Sequence, residues 1–353
     1  MHTDPAAVSY LYSLQRDLLG PLAQDHVSPD SELMAAARSE PGDVDHPAAE
    51  GEALLDDEAP PPTPYEPAIG YSILRDLAAE IVAALRKIGS LPNPPLVGTL
   101  PLGWPAALLL RVPVSTSHIV VVDREFTIFA NLLAKACAQA LLPASRGQSA
   151  EQWEESLRSG SHPAIPRYLE LMFAATTTSP VAAPAYTPGP ELSGLLNQLR
   201  TAIEIFVISE PYTHLASGHD RTAAPLPMHN VHGSAESYLW TESQWTESIT
   251  LRLDVVGAVF DAQGLPDRAL GNWSIQMFLV TVAMLGKMLA SDGRRGGAPS
   301  RAEVELEFMR KALLRSEGEE SRSLQLVERL SPVQHAFATH VQTALGRRDA
   351  GVH

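Results

Sequence analysis

The chain has 353 residues, enough for one large domain or two smaller ones around a buried core, and its 45% hydrophobic and 19% charged residues are those of a globular protein. Its net charge of −15 is unevenly placed, with fourteen acidic and two basic residues in 1–66 and a nearly neutral remainder, so the Lys- and Arg-rich face that nucleic-acid binding needs is not expected. The single cysteine, Cys137, excludes an internal disulfide framework and a cysteine-based zinc knuckle.

The N-terminus has no basic region followed by an apolar one, which makes cytoplasmic residence the expectation. Residues 5–19, PAAVSYLYSLQRDLL, have the spacing of a short amphipathic helix, with Val8, Leu11, Leu14 and Leu18 on one stripe. From about 21 to 66 Pro, Asp, Glu and Ala dominate, so the reading is a largely disordered acidic tail, 1–66, ahead of a domain at 67–349. Ile73, Leu77, Ile81, Leu85 and Ile88 have helical spacing and open that domain. Three β-rich runs, 96–100, 106–112 and 118–122, separated by Gly, Pro and Ser breaks, read as a small sheet. Asp123 is the expected N-cap of a helix whose apolar face is Phe126, Phe129, Leu133, Ala136 and Ala140. Helices are then expected near 150–158, 164–175, 190–218, 241–262, 271–290, 300–316 and 322–346, with 179–190 and 219–238 as the main loops. The run SIQMFLVTVAMLGKMLA, interrupted by Gly286 and Lys287, reads as a buried helix rather than a membrane span. A small sheet followed by a large helical body is an α+β pattern.

Within the helix from Glu191, apolar residues recur at Leu192, Leu195, Leu196, Leu199, Ile203, Phe206 and Val207, and the stripe continues onto Glu210 and His214. A carboxylate and an imidazole one turn apart and facing a core need partners, because an unpaired buried charge costs on the order of several kcal/mol. Each other together with a buried Arg would suffice, and so would a metal ion. The i, i+4 spacing is that of the two ligands in a His-Glu-x-x-His zinc helix. His219 is about 140° around an ideal helix from His214 and off that face. For His219, His229 and His232 exposed or loop-satisfying roles are the simplest. Trp240, Trp245 and Trp273 read as core or interface aromatics, and no nucleophile-elbow pattern surrounds Ser209 or Ser217.

The stretch FVISEPYTHLASGH, 206–219, resembles the zinc helix of bacterial gluzincin-type metallopeptidases, commonly FVIGHEYGHLLSGH. The match sets Glu210 at the first His ligand, Pro211 at the catalytic Glu and His214 at the second His ligand. Residues 240–264, WTESQWTESITLRLDVVGAVFDAQG, are similar to the helix that carries the third ligand, typically E-x-x-A-D-x-x-G. Asp254 and Gly257 fit that pattern, the ligand position falls on Thr250, and Glu247 is the nearest carboxylate. GGAPSRAEVELEFMRKAL resembles the late THPPAxxRxxxL segment, with Ala298 at the family His. LVGTLPLGWPAALLLRVP and IVVVDREFTIFANLLAKACAQAL are similar to the preceding sheet and helix, so the resemblance covers about 70–315. It implies a zincin-like helical body, with Glu210, His214 and Glu247 as candidate ligands for zinc or another divalent metal, and Asp254 and His219 as groups that orient a ligand.

Pro211 has no N–H to give to the Val207 carbonyl and its ring clashes there, at about 3 kcal/mol or more, so the helix is expected to kink or restart. Nor has proline a group able to take a proton from a metal-bound water, so no residue is assigned a catalytic role. The expected function is that of a degenerate metallopeptidase-like protein without conventional zinc peptidase activity. It would act as a binding or regulatory protein, its former cleft holding a peptide or protein partner. The alternative is a metal-dependent enzyme with a repurposed site built on Glu210 and His214. Contact between Glu210 and an Arg would favour a purely structural interaction role.

Overall fold

The computed structural model describes residues 4–23, 61–66, 68–89, 91, 93–113, 115–143, 147–175, 190–218, 240–290, 301–317 and 321–350. Strands β1 (Leu96–Leu100), β2 (Ala107–Arg111) and β3 (His118–Asp123) form one sheet with β3 in the middle. β1 runs parallel to β3, with Val97 opposite Val120, and β2 antiparallel to it, with Leu109 opposite Val120. Successive strand residues face opposite ways. Val97, Ala107, Val120 and Val122 therefore join the main core, whereas Leu100, Ile119 and Val121 face a second, smaller apolar cluster on the other side.

That second face is covered by α1 (Pro5–Ala23), which packs on β1 and β3. The short helix expected over 5–19 is α1, and 61–66 is also described; residues 24–60, most of the stretch expected to be a disordered tail, lie outside the described residues. The buried positions of α1 are Ala7, Leu11, Gln15 and Leu19, while Val8, Leu14 and Leu18 flank them. A polar residue can hold the third of these positions because its hydrogen bonds are made. Gln15 Nε2 donates to Glu66 Oε1 at 2.6 Å and to the Thr99 carbonyl at 2.9 Å, and its Oε1 accepts from the Thr63 hydroxyl. Glu66 also accepts from Thr99 N at 2.6 Å and Thr99 Oγ1 at 2.7 Å. Burial pushes its carboxyl upward against these hydrogen bonds.

On the opposite face lies α2 (Ala68–Ile88), which also touches β1, and β3 leads into α3 (Phe126–Ala140). Asp123 does not cap α3. Glu125 holds the N-cap position, and Asp123 Oδ1 instead accepts from Glu125 N at 3.0 Å, closing the turn between strand and helix. Then follow α4 (Ala150–Ser159), α5 (Ala164–Ala174), α6 (Pro190–Ala216), α7 (Glu242–Gln263), α8 (Arg268–Ala290), α9 (Arg301–Glu317), α10 (Arg322–Arg329) and α11 (Ser331–Ala350). The single helix expected over 322–346 is two, because Pro332 lacks the N–H that would continue the ladder into α10 and suits the first turn of a new helix.

Helix α6 is the axis of the body, packed against α2, α3, α7, α8 and β2. It runs unbroken through Pro211, with no restart. The missing hydrogen bond is outweighed by burial: Ile203, Ile205, Phe206, Val207, Ile208 and Tyr212 are all in the core, and each buried large apolar side chain is worth about 1.5–3 kcal/mol. The apolar run 274–290 lies in α8, whose 268–288 segment is long and apolar enough to cross a membrane but is mostly buried inside the protein, as expected of a core helix.

Candidate functional site

Glu210 and His214 come together near the C-terminal end of α6, with His214 Nε2 3.6 Å from Glu210 Oε1 and both side chains largely buried, at 12% and 13% exposure. Two helices supply what surrounds them. On α7, the buried residues Trp245, Ile249, Arg252, Val256 and Val259 make one inward stripe. The start of α7 is fixed by a reciprocal cap in which Gln244 N donates to the Thr241 hydroxyl at 3.3 Å and Thr241 N to Gln244 Oε1 at 2.9 Å. On α9, Ala302, Glu305, Phe308, Met309, Ala312 and Leu313 face inward, so Glu305 enters on an otherwise apolar stripe.

The result is a buried network of four charges. Arg301, the first residue of α9, forms an ion pair with Glu210 through Nη2 and binds Glu305 through Nε at 2.9 Å. Arg252 places Nη1 3.4 Å from Glu305 and Nη2 3.9 Å from Glu210. Its Nε donates to the Phe206 carbonyl at 3.0 Å, and its guanidinium lies 3.6 Å above the Phe206 ring. Burial pushes Glu305 upward, but the charges of Arg252 and Arg301 outweigh it and hold the carboxyl below its ordinary range. Burial lowers Arg252, opposed by Glu305; a guanidinium stays charged through such a shift. His214 is pushed down to about 4, first by burial and then by the Arg252 charge, so its imidazole is neutral at physiological pH.

An aromatic wall continues from His214. Its ring meets Trp240 edge-on at 4.4 Å between centroids, Trp240 packs on Trp245 at 4.7 Å, and Trp245 stacks on Phe308 at 6.0 Å. Lys311 Nζ lies 4.8 Å over the Phe308 ring and pairs with Glu307 at 2.8 Å and Glu242 at 3.4 Å. The charged network is thus bordered by aromatic faces on the α7 and α9 side.

The candidates on α7 sit elsewhere. Glu247 and Asp254 are on the exposed side of α7, away from its inward stripe. Burial raises the Asp254 carboxyl, opposed by the Arg268 charge. His219, His229, His232 and Ala298 lie outside the described residues. Among the described residues no group of three His, Cys, Asp or Glu side chains is placed to hold a metal ion. The donor set at Glu210 does not fit the ion that the resemblance implies, because a divalent cation there would have to displace Arg301 and approach Arg252. Arg301 and Glu305 were missed from the sequence, although the α9 stripe carries the signal: Glu305 lies three residues after Ala302 and three before Phe308. Compared with protein-family models, with curated proteins and with solved structures, the chain matches none of them.

Proposed function

We propose that the chain is a non-hydrolytic binding or regulatory protein built on a metallopeptidase-like scaffold, whose former cleft holds a peptide or protein partner. The observation that supports the non-hydrolytic part of this reading is the ion pairing of Glu210 with Arg301 and Arg252, which also favours the purely structural interaction role as a second reading. In the metallopeptidases that the sequence resembles, this position belongs to a metal ligand; here two guanidinium groups supply the positive charge. Pro211 at the general-base position supports the same reading, since it can take no proton. The resemblance in sequence over 70–315, together with a small sheet that precedes the Glu210 helix, supports the scaffold assignment.

The test is metal analysis of the protein expressed with zinc, manganese and iron supplied, beside peptide cleavage with and without chelator. The reading expects no stoichiometric metal and no chelator-sensitive cleavage, with peptide binding visible as a change in tryptophan fluorescence. Stoichiometric zinc together with chelator-sensitive cleavage would overturn it. Metal that is bound by the wild type and lost in His214→Ala would favour a metal-dependent enzyme using Glu210 and His214.

A further inference from the structure

Among the described residues of α8 four polar side chains are buried, Asn272, Ser274, Gln276 and Thr281, and three of them are paired. Asn272 Nδ2 donates to Ser323 Oγ at 3.0 Å, and Ser274 Oγ to the Leu199 carbonyl at 3.1 Å and the Gly271 carbonyl at 2.7 Å. Thr281 Oγ1 donates to the Met277 carbonyl at 2.7 Å and meets Tyr168 Oη at 2.8 Å. Gln276 is the exception. It is 2% exposed, and neither Oε1 nor Nε2 has a hydrogen-bond partner among the described residues. Exchanging the amide oxygen and nitrogen changes nothing, because both ends of the carboxamide are unmet. The buried Gln15 shows what such a group needs: there both ends are bonded, to Glu66, the Thr99 carbonyl and Thr63.

Gln276 follows Asn272 by one turn on the same face of α8. Ser323, which receives Asn272, puts α10 on that face. The seat of α10 is polar: Ser323 is its fully buried residue, whereas Leu324, Leu326 and Val327 are only partly buried. We propose that Gln276 holds an internal water between α8 and α10, shared with the Asn272–Ser323 pair. A buried carboxamide with no partner is costly, so the unmet groups call for an occupant. That occupant must give a proton to Oε1 and take one from Nε2, in a place closed off from solvent. Water is the smallest molecule that does both. A buried water makes about three hydrogen bonds, and the third falls to the Asn272–Ser323 pair one turn away. Helix α10 is then seated partly through this water, which leaves only when the helix lifts from α8.

The experiment uses the full chain, deuterated and carrying isotope-labelled glutamine. It reads magnetisation transfer from water to the side-chain amide protons of Gln276, identified by their loss in Gln276→Met. A dipolar cross-peak with the sign of a long-lived water is expected at these protons. Gln276 amide protons with no dipolar contact to water would overturn the proposal. Relaxation dispersion of the water oxygen gives an independent count: Gln276→Met should hold about one long-lived water fewer than the wild type. An unchanged count in a folded variant would also overturn it. Should Gln276→Met not fold, the amide signals of the wild type are assigned through their own backbone, and the water contact alone decides.

Discussion

Arg252 engages Phe206 twice, its Nε donating to the Phe206 carbonyl at 3.0 Å while its guanidinium covers the Phe206 ring at 3.6 Å. The carbonyl belongs to the turn of α6 that precedes Pro211, where the helix ladder is interrupted. One buried side chain thus braces the helix, neutralises Glu305 and reaches Glu210.

Removing that side chain should be severe. Arg252→Met leaves two carboxylates with one guanidinium between them and takes a donor from the Phe206 carbonyl. Breaking a buried pair costs about 3–5 kcal/mol, whereas replacing both partners by apolar groups is often near neutral. Urea unfolding should show a loss in that range for Arg252→Met, with most of it recovered in Arg252→Met/Glu305→Leu, where Arg301 still pairs with Glu210.

His214 should make stability depend on pH. Its folded value of about 4 lies below the ordinary 6.5, so the unfolded chain binds the proton first and stability falls as pH drops from 6.5 toward 4. At pH 5 the loss is about 2 kcal/mol relative to pH 7.5. Asp123, raised to about 6 chiefly by burial, contributes with the opposite sign over part of this range. The diagnostic is therefore the difference between wild type and His214→Gln, which should shrink by that amount at the acid end.

Glu204 offers the reverse case. It is buried on α6 with Arg200 Nε 3.7 Å away, and burial raises it to about 7, opposed by Arg200. The fold prefers the protonated acid, so keeping the charge is destabilising above pH 7. Glu204→Gln should raise stability by about 2–3 kcal/mol at pH 8 and have little effect below pH 5. Thermal unfolding at the two pH values checks this.

Pro211 should be replaceable in one sense and not in another. Pro211→Ala returns an N–H for the Val207 carbonyl and should stabilise α6 by about 1–2 kcal/mol, given that a proline inside a helix costs about 3 kcal/mol and its buried ring gives some of that back. Pro211→Glu restores a proton acceptor, yet no peptidase activity is expected from it, because Arg301 and Arg252 still occupy Glu210. Unfolding curves and a cleavage assay separate the two effects.

Much of the body was legible because its helices carry strong apolar stripes. The spans of α4 to α9 agree with the periodicity to within a few residues, and Glu210 and His214 fall inward where the α6 stripe puts them. What the stripe of α6 does not reveal is its neighbour's chemistry: Arg252 sits on an inward position of α7 and Glu305 on one of α9, and only the packing of three helices joins them. The dock of α1 was hidden for a different reason. Gln15 interrupts the apolar stripe, and its partner Glu66 looks like one more charge in an acidic stretch until Thr99 is brought beside both.

The order of the strands imposes an order of events during synthesis. The seat of Leu11 needs β3, the central strand, which is made roughly a hundred residues after Leu11. Until Ile119 and Val121 emerge, the apolar stripe of α1 has no home in its own chain. Helix α1 is thus made well before the layer that receives it, and its burial waits on the completion of the sheet.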